Sequence, residues 1–455
     1  MADGFTYPRN QSSARAQAIS VGKGEFTSSA DGPPLIQRLG WLAAVFAVIV
    51  QQGAFVSSPV LSNLVAEVGA PDAQANILNS LAVFLNIMLI APLCLLHCRK
   101  LAPIIYGNKA AIALIVLMFL STIWSIHPDV TVRRCVNYFS TILTACYLAG
   151  RFDVDEAMKI LSWGIAISAV CSFLFVAAFP IDAVHQPSLR QVEEIAGAWR
   201  GVFSHKNVLG HTMTVGVIVE LYILSGAKVR TAWHALLLCG FLALVILSRS
   251  TTGILLASFY LVGASLFFLL QRARQYFGVG LAMLAVFGAT IGAIYWTYPN
   301  AVFGFLGSDA TLTGRTELWA FVLRLIAERP LLGWGYSAMW LPSDTITIAI
   351  SRAVGWTVPQ AHNALLEVTL EMGLTGLAIV ITFVAVSLWR SMRCLMAGQQ
   401  KLGMLSLVFF LGVIISGATE STLAQNQTIE WVVFNVLSFS CGLEIMRRQV
   451  GKETS

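Results

Sequence analysis

The sequence predicts an all-α fold, a polytopic bundle of about twelve membrane-spanning helices. The composition, the long apolar segments and the placement of the basic residues support this prediction. Hydrophobic residues make up 57% of the 455 residues and charged residues only 11%, whereas a soluble domain carries roughly 25% charged residues. A soluble or disordered protein is therefore excluded. No dense basic stripe is present, so nucleic-acid binding is not expected.

The apolar segments are long enough to cross a bilayer. A membrane helix needs ~20 mainly apolar residues, and twelve segments approach this length, the fourth being short for a span. They are Leu39–Val56, Leu78–His97, Ala110–Ile126, Cys135–Ala149, Ile160–Pro180, Asn207–Leu224, Thr231–Leu247, Gly253–Leu270, Phe277–Tyr298, Leu374–Trp389, Leu402–Ala418 and Trp431–Ile445.

The basic residues predict the orientation, because lysine and arginine are retained on the cytoplasmic side of short loops. With the N-terminus inside, most of the 29 lysines and arginines face the cytoplasm. Twelve spans return the C-terminus to the same side. The predicted regions are a flexible cytoplasmic tail (1–38), helices one to nine (39–298), a large periplasmic loop (299–373), helices ten to twelve (374–446) and a cytoplasmic tail (447–455).

Ten basic residues fall on the outer side in this topology, and nine of them are arginine. They are Arg133, Arg134, Arg190, Arg200, Lys206, Arg249, Arg315, Arg324, Arg329 and Arg352. Arginine binds phosphates through a planar fork that stays charged, so one interpretation is an anion site on the outer face. The alternative is pairing with outer acids such as Glu193, Glu194 or Glu328. Both interpretations stay open at this point.

The large outer loop contains two segments with helical patterns. Arg315–Glu328 has apolar residues at helical spacing and predicts an amphipathic helix suited to the membrane interface. Gln360–Gly373 predicts a second helix, which His362 and Asn363 open and Gly373 closes. A neutral imidazole at this position can accept a proton, as a general base must. The alternative is that His362 only caps the helix.

Five motifs occur in order along the outer face. They are RGVFSHKNVLGH (Arg200–His211), SRSTTG (Ser248–Gly253), TGRTELW (Thr313–Trp319), PLLGWGY (Pro330–Tyr336) and HNALLEVTLEMGLTGL (His362–Leu377). This arrangement resembles the O-antigen ligase and polymerase superfamily of bacterial membrane proteins, and within it the proteins of exopolysaccharide production. The resemblance runs from about span five to span ten.

The resemblance implies a fold, a substrate and roles for particular residues. Such proteins transfer a glycan from undecaprenyl diphosphate to a hydroxyl of an acceptor sugar at the periplasmic face of the inner membrane. Their fold is classed with membrane glycosyltransferases of the GT-C type. Arg200 and Arg249 match arginines thought to bind the pyrophosphate, and His362 matches the histidine proposed to activate the acceptor. Arg315 matches a loop arginine whose role is less clear.

Further side chains near these motifs are candidates for substrate binding. Lys206, His205 and Asn207 lie at the mouth of span six, where either a substrate contact or an interfacial role fits. Asn363 follows His362 in the same motif. His211, one helical turn from Asn207, lines the cavity or is a satisfied buried histidine.

The negative charge on the diphosphate leaving group needs either a metal ion or protein cations for its stabilisation. The one Asp-x-Asp pattern is Asp153-Val154-Asp155, which the topology places in the cytoplasm, where Asp155 would cap a helix. The outer acids show no ligand spacing with histidine. We therefore expect a metal-independent site built from arginines, with no cofactor. The eight cysteines lie in or beside the spans and are expected to be small apolar filler.

Three functions are considered. The first is a polymerase that joins lipid-linked oligosaccharide repeat units into an exopolysaccharide, with export or chain-length machinery as a partner. The second is a ligase that transfers finished glycan to lipid A-core. The third is a glycolipid transporter, although the two halves of the chain show no convincing internal repeat.

Replacing Arg200, Arg249 or His362 by alanine is expected to abolish glycan transfer while the protein stays in the membrane. The reason is that each change removes a cation for the diphosphate or the base for the acceptor. Product analysis of membranes that contain each variant checks this. Normal product from any one variant removes that residue from the mechanism.

Overall fold

The computed structural model describes residues 34–55, 71–186, 196–226, 231–272 and 315–453. Within these ranges the chain is helical, apart from turns and an isolated antiparallel bridge between Val184 and Trp199. The all-α prediction is confirmed for the described part of the chain. Arg190, the acids Glu193 and Glu194, and the predicted ninth span Phe277–Tyr298 lie outside it.

The described α-helices are numbered here in chain order. They are α1 (Pro34–Gln51), α2 (Pro71–Leu96), α3 (Cys98–Gly107), α4 (Lys109–Leu120), α5 (Pro128–Arg151), α6 (Val154–Ala178), α7 (Pro180–Ala183), α8 (Lys206–Leu224), α9 (Thr231–Leu247), α10 (Thr251–Arg272), α11 (Arg315–Glu328), α12 (Thr345–Val354), α13 (Ala364–Met396), α14 (Gln400–Ser416) and α15 (Ile429–Glu453).

The protein is a multi-pass membrane helix bundle. In the described ranges, α2, α6, α8, α13 and α15 contain stretches that are long and apolar enough to cross a membrane. Helices α3 and α4 meet at 86° and add a sixth span if they are taken together. Helices α1, α9, α10 and α14 are shorter apolar helices and lie on the predicted spans one, seven, eight and eleven.

Two helices differ from the apolar segments that predicted them. Helix α4 ends at Leu120 and continues only as a 3-10 turn, so it stops short of the predicted end at Ile126. Helix α5 is 24 residues long and extends beyond Cys135–Ala149 at both ends. The added residues include Asp129, Arg133, Arg134 and Arg151, so a search for apolar segments underestimates the length of this helix.

Helix α8 is at the centre of the bundle. It packs against α6, α9 and α10, and every residue from Leu209 to Glu220 is buried. Gly216 allows the close approach of α9, because a Cβ atom there would lie 2.7 Å from the Phe241 ring. Glu220 accepts hydrogen bonds from Ser162 and from His234 (2.7 Å), so this acid within a span is paired.

A separate apolar layer lies over one end of the bundle. It contains α11, which spans Arg315–Glu328 as predicted and buries Leu318 and Val322. Trp334, Trp340 and Leu370 belong to the same cluster. The layer therefore joins the segment after α11 to the first turns of α13.

Gly373 does not end its helix as predicted. Helix α13 continues to Met396, but Gly373 breaks its regularity with φ 65° and ψ −168°. The Leu374 N–H donates to the Pro330 carbonyl oxygen (2.8 Å), and the Gly335 N–H donates to the Glu371 carbonyl oxygen (2.9 Å). The backbone of the PLLGWGY segment thus bonds across the break. A Cβ atom at Gly373 would lie only 2.2 Å from the Leu331 carbonyl carbon.

Gly373→Ala is expected to lower the thermal unfolding temperature of the detergent-solubilised protein. The unfavourable backbone conformation alone costs about 1–3 kcal/mol, and the contact with Leu331 adds to it. Gly355→Ala isolates the cost of positive φ (82°), because nothing lies within 4 Å of a Cβ atom there. Gly240→Ala has neither problem and serves as the neutral control. Equal stability of the Gly373 and Gly240 variants would contradict this account.

Candidate active site

Four chain segments bring polar side chains together at one end of the bundle. They are residues 196–205 before α8, the turn 248–250 between α9 and α10, the segment 355–363 before α13, and the α14–α15 loop, residues 417–428. The Lys206 ammonium donates to the Arg249 carbonyl oxygen (3.2 Å). Asn207 and His362 both contact Glu420. Motifs that are far apart in sequence therefore meet in one site.

The centre of the site is a buried pair of His362 and Glu420. The His362 Nδ1 atom lies 3.2 Å from Glu420 Oε2, and the two residues are 9% and 6% exposed. The Gln360 side-chain amide donates to Glu420 Oε2 (2.6 Å), and the Asn207 amide donates to Glu420 Oε1 (3.2 Å). Both carboxylate oxygens therefore have partners.

The surroundings of Glu420 keep its carboxyl group ionised. Burial raises its pKa, but the hydrogen bond from His362 and the charges of His362, Arg315 and His211 outweigh burial and lower the pKa to about 2. An ionised carboxylate only accepts hydrogen bonds. In a neutral imidazole whose Nδ1–H donates to this carboxylate, Nε2 is left as a proton acceptor. This is the tautomer that a general base needs.

The backbone around His362 supports this arrangement. Asn363 is the N-cap of α13, and its side-chain oxygen accepts from the N–H groups of Leu365 and Leu366, each at 3.1 Å. The capping role proposed as an alternative for His362 therefore belongs to Asn363. His362 itself has φ 51°, a conformation that is uncommon for a residue with a side chain. The ring of Trp356 lies 5.5 Å from its imidazole ring.

Cationic side chains lie on the segments that meet at the pair. The Arg315 guanidinium donates to the Thr419 carbonyl oxygen (3.0 Å), next to Glu420. The Arg249 guanidinium donates to the Ala196 carbonyl oxygen (3.0 Å), and Arg249 has φ 49°. Arg249 is exposed, while Arg315 and Lys206 are half-buried. A guanidinium has five N–H donors, so one backbone contact leaves most of them available to an anion.

Arg200, His185 and His205 form the adjoining group. The Arg200 Nε–H donates to the Asp182 carbonyl oxygen (2.7 Å). The His185 and His205 rings are 5.0 Å apart, and His185 Nε2 accepts from the Lys206 N–H (3.1 Å). His205 is the N-cap of α8, and its Nδ1 accepts from the Asn207 N–H (3.2 Å). This network fixes the position of the RGVFSHKN motif.

Both histidines of this group are held neutral. Burial, followed by the charges of His205, Arg200 and Lys206, lowers the pKa of His185 to about 4. Burial and then the charge of Lys206 lower the pKa of His205, with Glu420 opposing and His362 and Arg200 adding to the effect.

Several other predicted residues have different partners. The Arg134 guanidinium donates to the Ser337 carbonyl and hydroxyl oxygens, so it anchors the PLLGWGY segment. Arg329 lies 4.2 Å above the Trp334 ring. In the Asp-x-Asp pattern the N-cap is Asp153 rather than Asp155, because Asp155 instead accepts a hydrogen bond from the Tyr222 hydroxyl (2.6 Å).

The structure adds residues that sequence reasoning missed. Glu420 was only one of many outer acids, and 58 residues separate it from His362. Gln360 and His185 gave no signal as partners of these groups. His211 Nδ1 lies 3.0 Å from Glu430 Oε1, which makes a second buried pair behind the first. In the part of the chain that the structure describes, no group of three or more His, Cys, Asp or Glu residues could hold a metal ion.

Comparison with known proteins gives two matches. A family model described as O-antigen ligase matches residues 215–381, a range that contains Arg249, Arg315 and His362 but ends before Glu420. The chain is also 27% identical, over 317 residues, to the exopolysaccharide production protein ExoQ of Rhizobium meliloti (strain 1021). That alignment covers 65% of this chain and 68% of ExoQ.

Glu420 is expected to make stability depend on acid pH. Its folded-state pKa of about 2 lies below the ordinary value of 4.5. Its stabilisation is therefore present above pH 4.5 and is lost as the pH falls through 2. A shift of this size corresponds to about 3 kcal/mol. Thermal unfolding of the wild type and of Glu420→Gln between these pH values checks this. Parallel pH profiles would show that Glu420 is not the titrating group.

Proposed function

Because the chain is similar to the O-antigen ligase family over residues 215–381 and to ExoQ, we propose that it is a polymerase of exopolysaccharide repeat units. The donor is an oligosaccharide on undecaprenyl diphosphate, and the acceptor is a sugar hydroxyl of a second glycan. The enzyme is a glycosyltransferase that needs no metal ion. The observation that carries this proposal is the buried His362–Glu420 pair with arginine and lysine side chains around it.

The proposal includes a membrane arrangement. Twelve spans in a GT-C-like bundle place both termini in the cytoplasm and the site at the periplasmic face of the bacterial inner membrane. The large loop between the ninth and tenth spans covers this site. A lipid-linked donor then reaches the cations from the outer leaflet, and its glycan lies on the water side. The contact of His362, before α13, with the α14–α15 loop supports a site at one membrane face.

In the proposed reaction, the acceptor hydroxyl oxygen attacks the anomeric carbon of the donor glycan. The new glycosidic C–O bond forms as the bond from the anomeric carbon to the diphosphate oxygen breaks. The electron pair of that bond stays on the leaving diphosphate, whose negative charge Arg200 and Arg249 stabilise. The acceptor proton passes to Nε2 of His362, and the resulting imidazolium is stabilised by Glu420.

The remaining cluster residues bind and position. Lys206 and Arg315 add positive charge close to the diphosphate, and Lys206 also holds the Arg249 backbone. Asn207 and Gln360 hold Glu420 through its two oxygens. Glu420 is a positioning residue, because it acts through His362. His205 and Asn363 shape the site as the N-caps of α8 and α13.

A ligase is the second candidate, because the matched family is described as O-antigen ligase. A ligase uses the same donor and the same chemistry and differs only in the acceptor, which is lipid A-core. A transporter fits less well, because in the described ranges the charged residues of the motifs gather at helix ends instead of along a central path through the bundle.

Purified full-length protein, incubated with undecaprenyl-diphosphate oligosaccharide alone, is expected to give a ladder of longer lipid-linked glycans on gel electrophoresis. His362→Ala should give no ladder. His127→Ala is the matched control, because it removes a histidine that pairs with Asp344 at 3.3 Å outside the site. Transfer that begins only after lipid A-core is added would identify a ligase, and no transfer to either acceptor would reject both assignments.

A further inference from the structure

A second polar group lies where α1, α2 and α5 meet the α14–α15 loop. We name it the amide cluster, and it consists of amide and hydroxyl side chains only. Its members are Gln51, Asn79, Asn86, Asn137, Ser140, Thr141, Thr144 and Gln427. Uncharged groups that both donate and accept hydrogen bonds match the hydroxyl groups of a neutral sugar.

The outer part of the cluster is reachable. The Asn79 and Gln427 side chains exchange two hydrogen bonds, one in each direction, at 2.7 and 2.8 Å. The Asn137 amide also donates to the Gln427 side-chain oxygen (3.1 Å). Asn79 and Gln427 are half-buried, so they pair with each other while part of each side chain is accessible.

The inner part of the cluster is buried and incompletely paired. The Asn86 side-chain amide donates to the hydroxyl groups of Ser140 (2.8 Å) and Thr144 (3.1 Å). The Gln51 amide also donates to the Ser140 hydroxyl (2.9 Å). Asn86 is fully buried, yet its side-chain oxygen has no partner. An acceptor therefore stays unused at the inner end of this polar track.

Each hydrogen bond of the cluster contributes only modestly to helix packing. A side-chain hydrogen bond between membrane helices contributes on average only about 0.6 kcal/mol, while a buried polar atom without a partner costs about 1–3 kcal/mol. Polar residues within membrane helices commonly mark a substrate path. Since the cluster has no ionisable member, a charged ligand would find no counter-charge in it, whereas a neutral one would find donors and acceptors.

The cluster is joined to the active site by one loop. Glu420 and Gln427 both belong to the α14–α15 loop, in which the Ala424 carbonyl oxygen accepts from the Tyr336 hydroxyl (3.0 Å). The Gln427 N–H donates to the Thr141 hydroxyl (3.2 Å), and Gln427 has φ 50°. The loop therefore has fixed contacts on both sides, with the histidine–glutamate pair at its start and the amide cluster at its end.

We propose that the amide cluster binds an uncharged sugar of the acceptor glycan and so presents its hydroxyl to His362. This inference rests on the proposed function. On binding, Asn79 and Gln427 exchange their two mutual hydrogen bonds for bonds to sugar hydroxyl groups. The number of hydrogen bonds is conserved, so the exchange costs little free energy. The cations hold the diphosphate, and the amides select the acceptor.

The test measures two affinities of the full-length protein in lipid nanodiscs. The probes are undecaprenyl diphosphate without sugar and a neutral oligosaccharide repeat unit without lipid. Asn79→Ala and Gln427→Ala are expected to weaken oligosaccharide binding at least tenfold and to leave undecaprenyl diphosphate binding within twofold. Arg200→Ala should give the opposite pattern, since it removes a cation for the diphosphate and no amide.

A matched control excludes a general packing effect. Ser387→Ala breaks a buried hydrogen bond of 2.7 Å to Ser438 between α13 and α15, and both affinities should stay unchanged. Thermal unfolding is measured for every variant. If an alanine variant does not fold, Gln427→Asn replaces it. The asparagine side chain keeps the amide group but is one methylene shorter, so it cannot make the same hydrogen bonds.

The outcomes separate the two proposals. Unchanged oligosaccharide affinity in the Asn79 and Gln427 variants overturns the acceptor subsite and leaves the proposed function standing. Loss of both affinities together with a lower unfolding temperature shows a structural role and also overturns it. The proposed function itself is overturned if the wild-type protein does not bind undecaprenyl diphosphate in nanodiscs and also does not transfer glycan from the lipid-linked oligosaccharide.

Discussion

The arrangement of the candidate site depends on one buried carboxylate. A charge that leaves water needs compensating partners, and Glu420 obtains them from His362, Gln360 and Asn207. His362 and Gln360 precede α13, and Asn207 lies in the first turn of α8, so satisfying one anion brings the ends of these helices to the α14–α15 loop. The same contacts orient the His362 imidazole towards the carboxylate.

The cationic side chains of the site are more exposed than the histidine–glutamate pair. His362 and Glu420 are buried, whereas Arg249 is exposed and Arg315 is half-buried. Their known contacts are with backbone carbonyl oxygens, which orient a guanidinium without cancelling its charge. Such groups suit an anion that arrives and leaves. The imidazole is buried, whereas the cations are accessible. This difference suits the proposed donor, which carries its charge on the diphosphate, and an acceptor that carries no charge.

Sequence reasoning succeeded where the signal is local. The period of apolar residues predicted a helix over Arg315–Glu328, and the described chain is helical over this segment and ends the helix at Glu328. The motifs named the groups that meet at the site. It failed where the decisive contact is distant in sequence. The partner of His362 lies 58 residues away. Helix α5 extends beyond Cys135–Ala149 into charged residues such as Asp129, Arg133 and Arg151, which a search for apolar segments leaves out. The sequence analysis assigned the helix cap to Asp155, but the cap is Asp153. Asp155 instead accepts a hydrogen bond from Tyr222, a residue 67 positions away in the sequence.

The break at Gly373 bears on how firmly the base is held. His362 sits at the tip of a short arm, Ala364–Met372, that ends at this break. Free rotation of the backbone at Gly373 would displace the His362 imidazole. Backbone groups of the PLLGWGY segment form hydrogen bonds on both sides of this break. At the other end of the arm, the Ala364 N–H donates to the Gly417 carbonyl oxygen (2.8 Å). Both ends of the arm are therefore held by hydrogen bonds, which fix the position of the His362 imidazole relative to the α14–α15 loop.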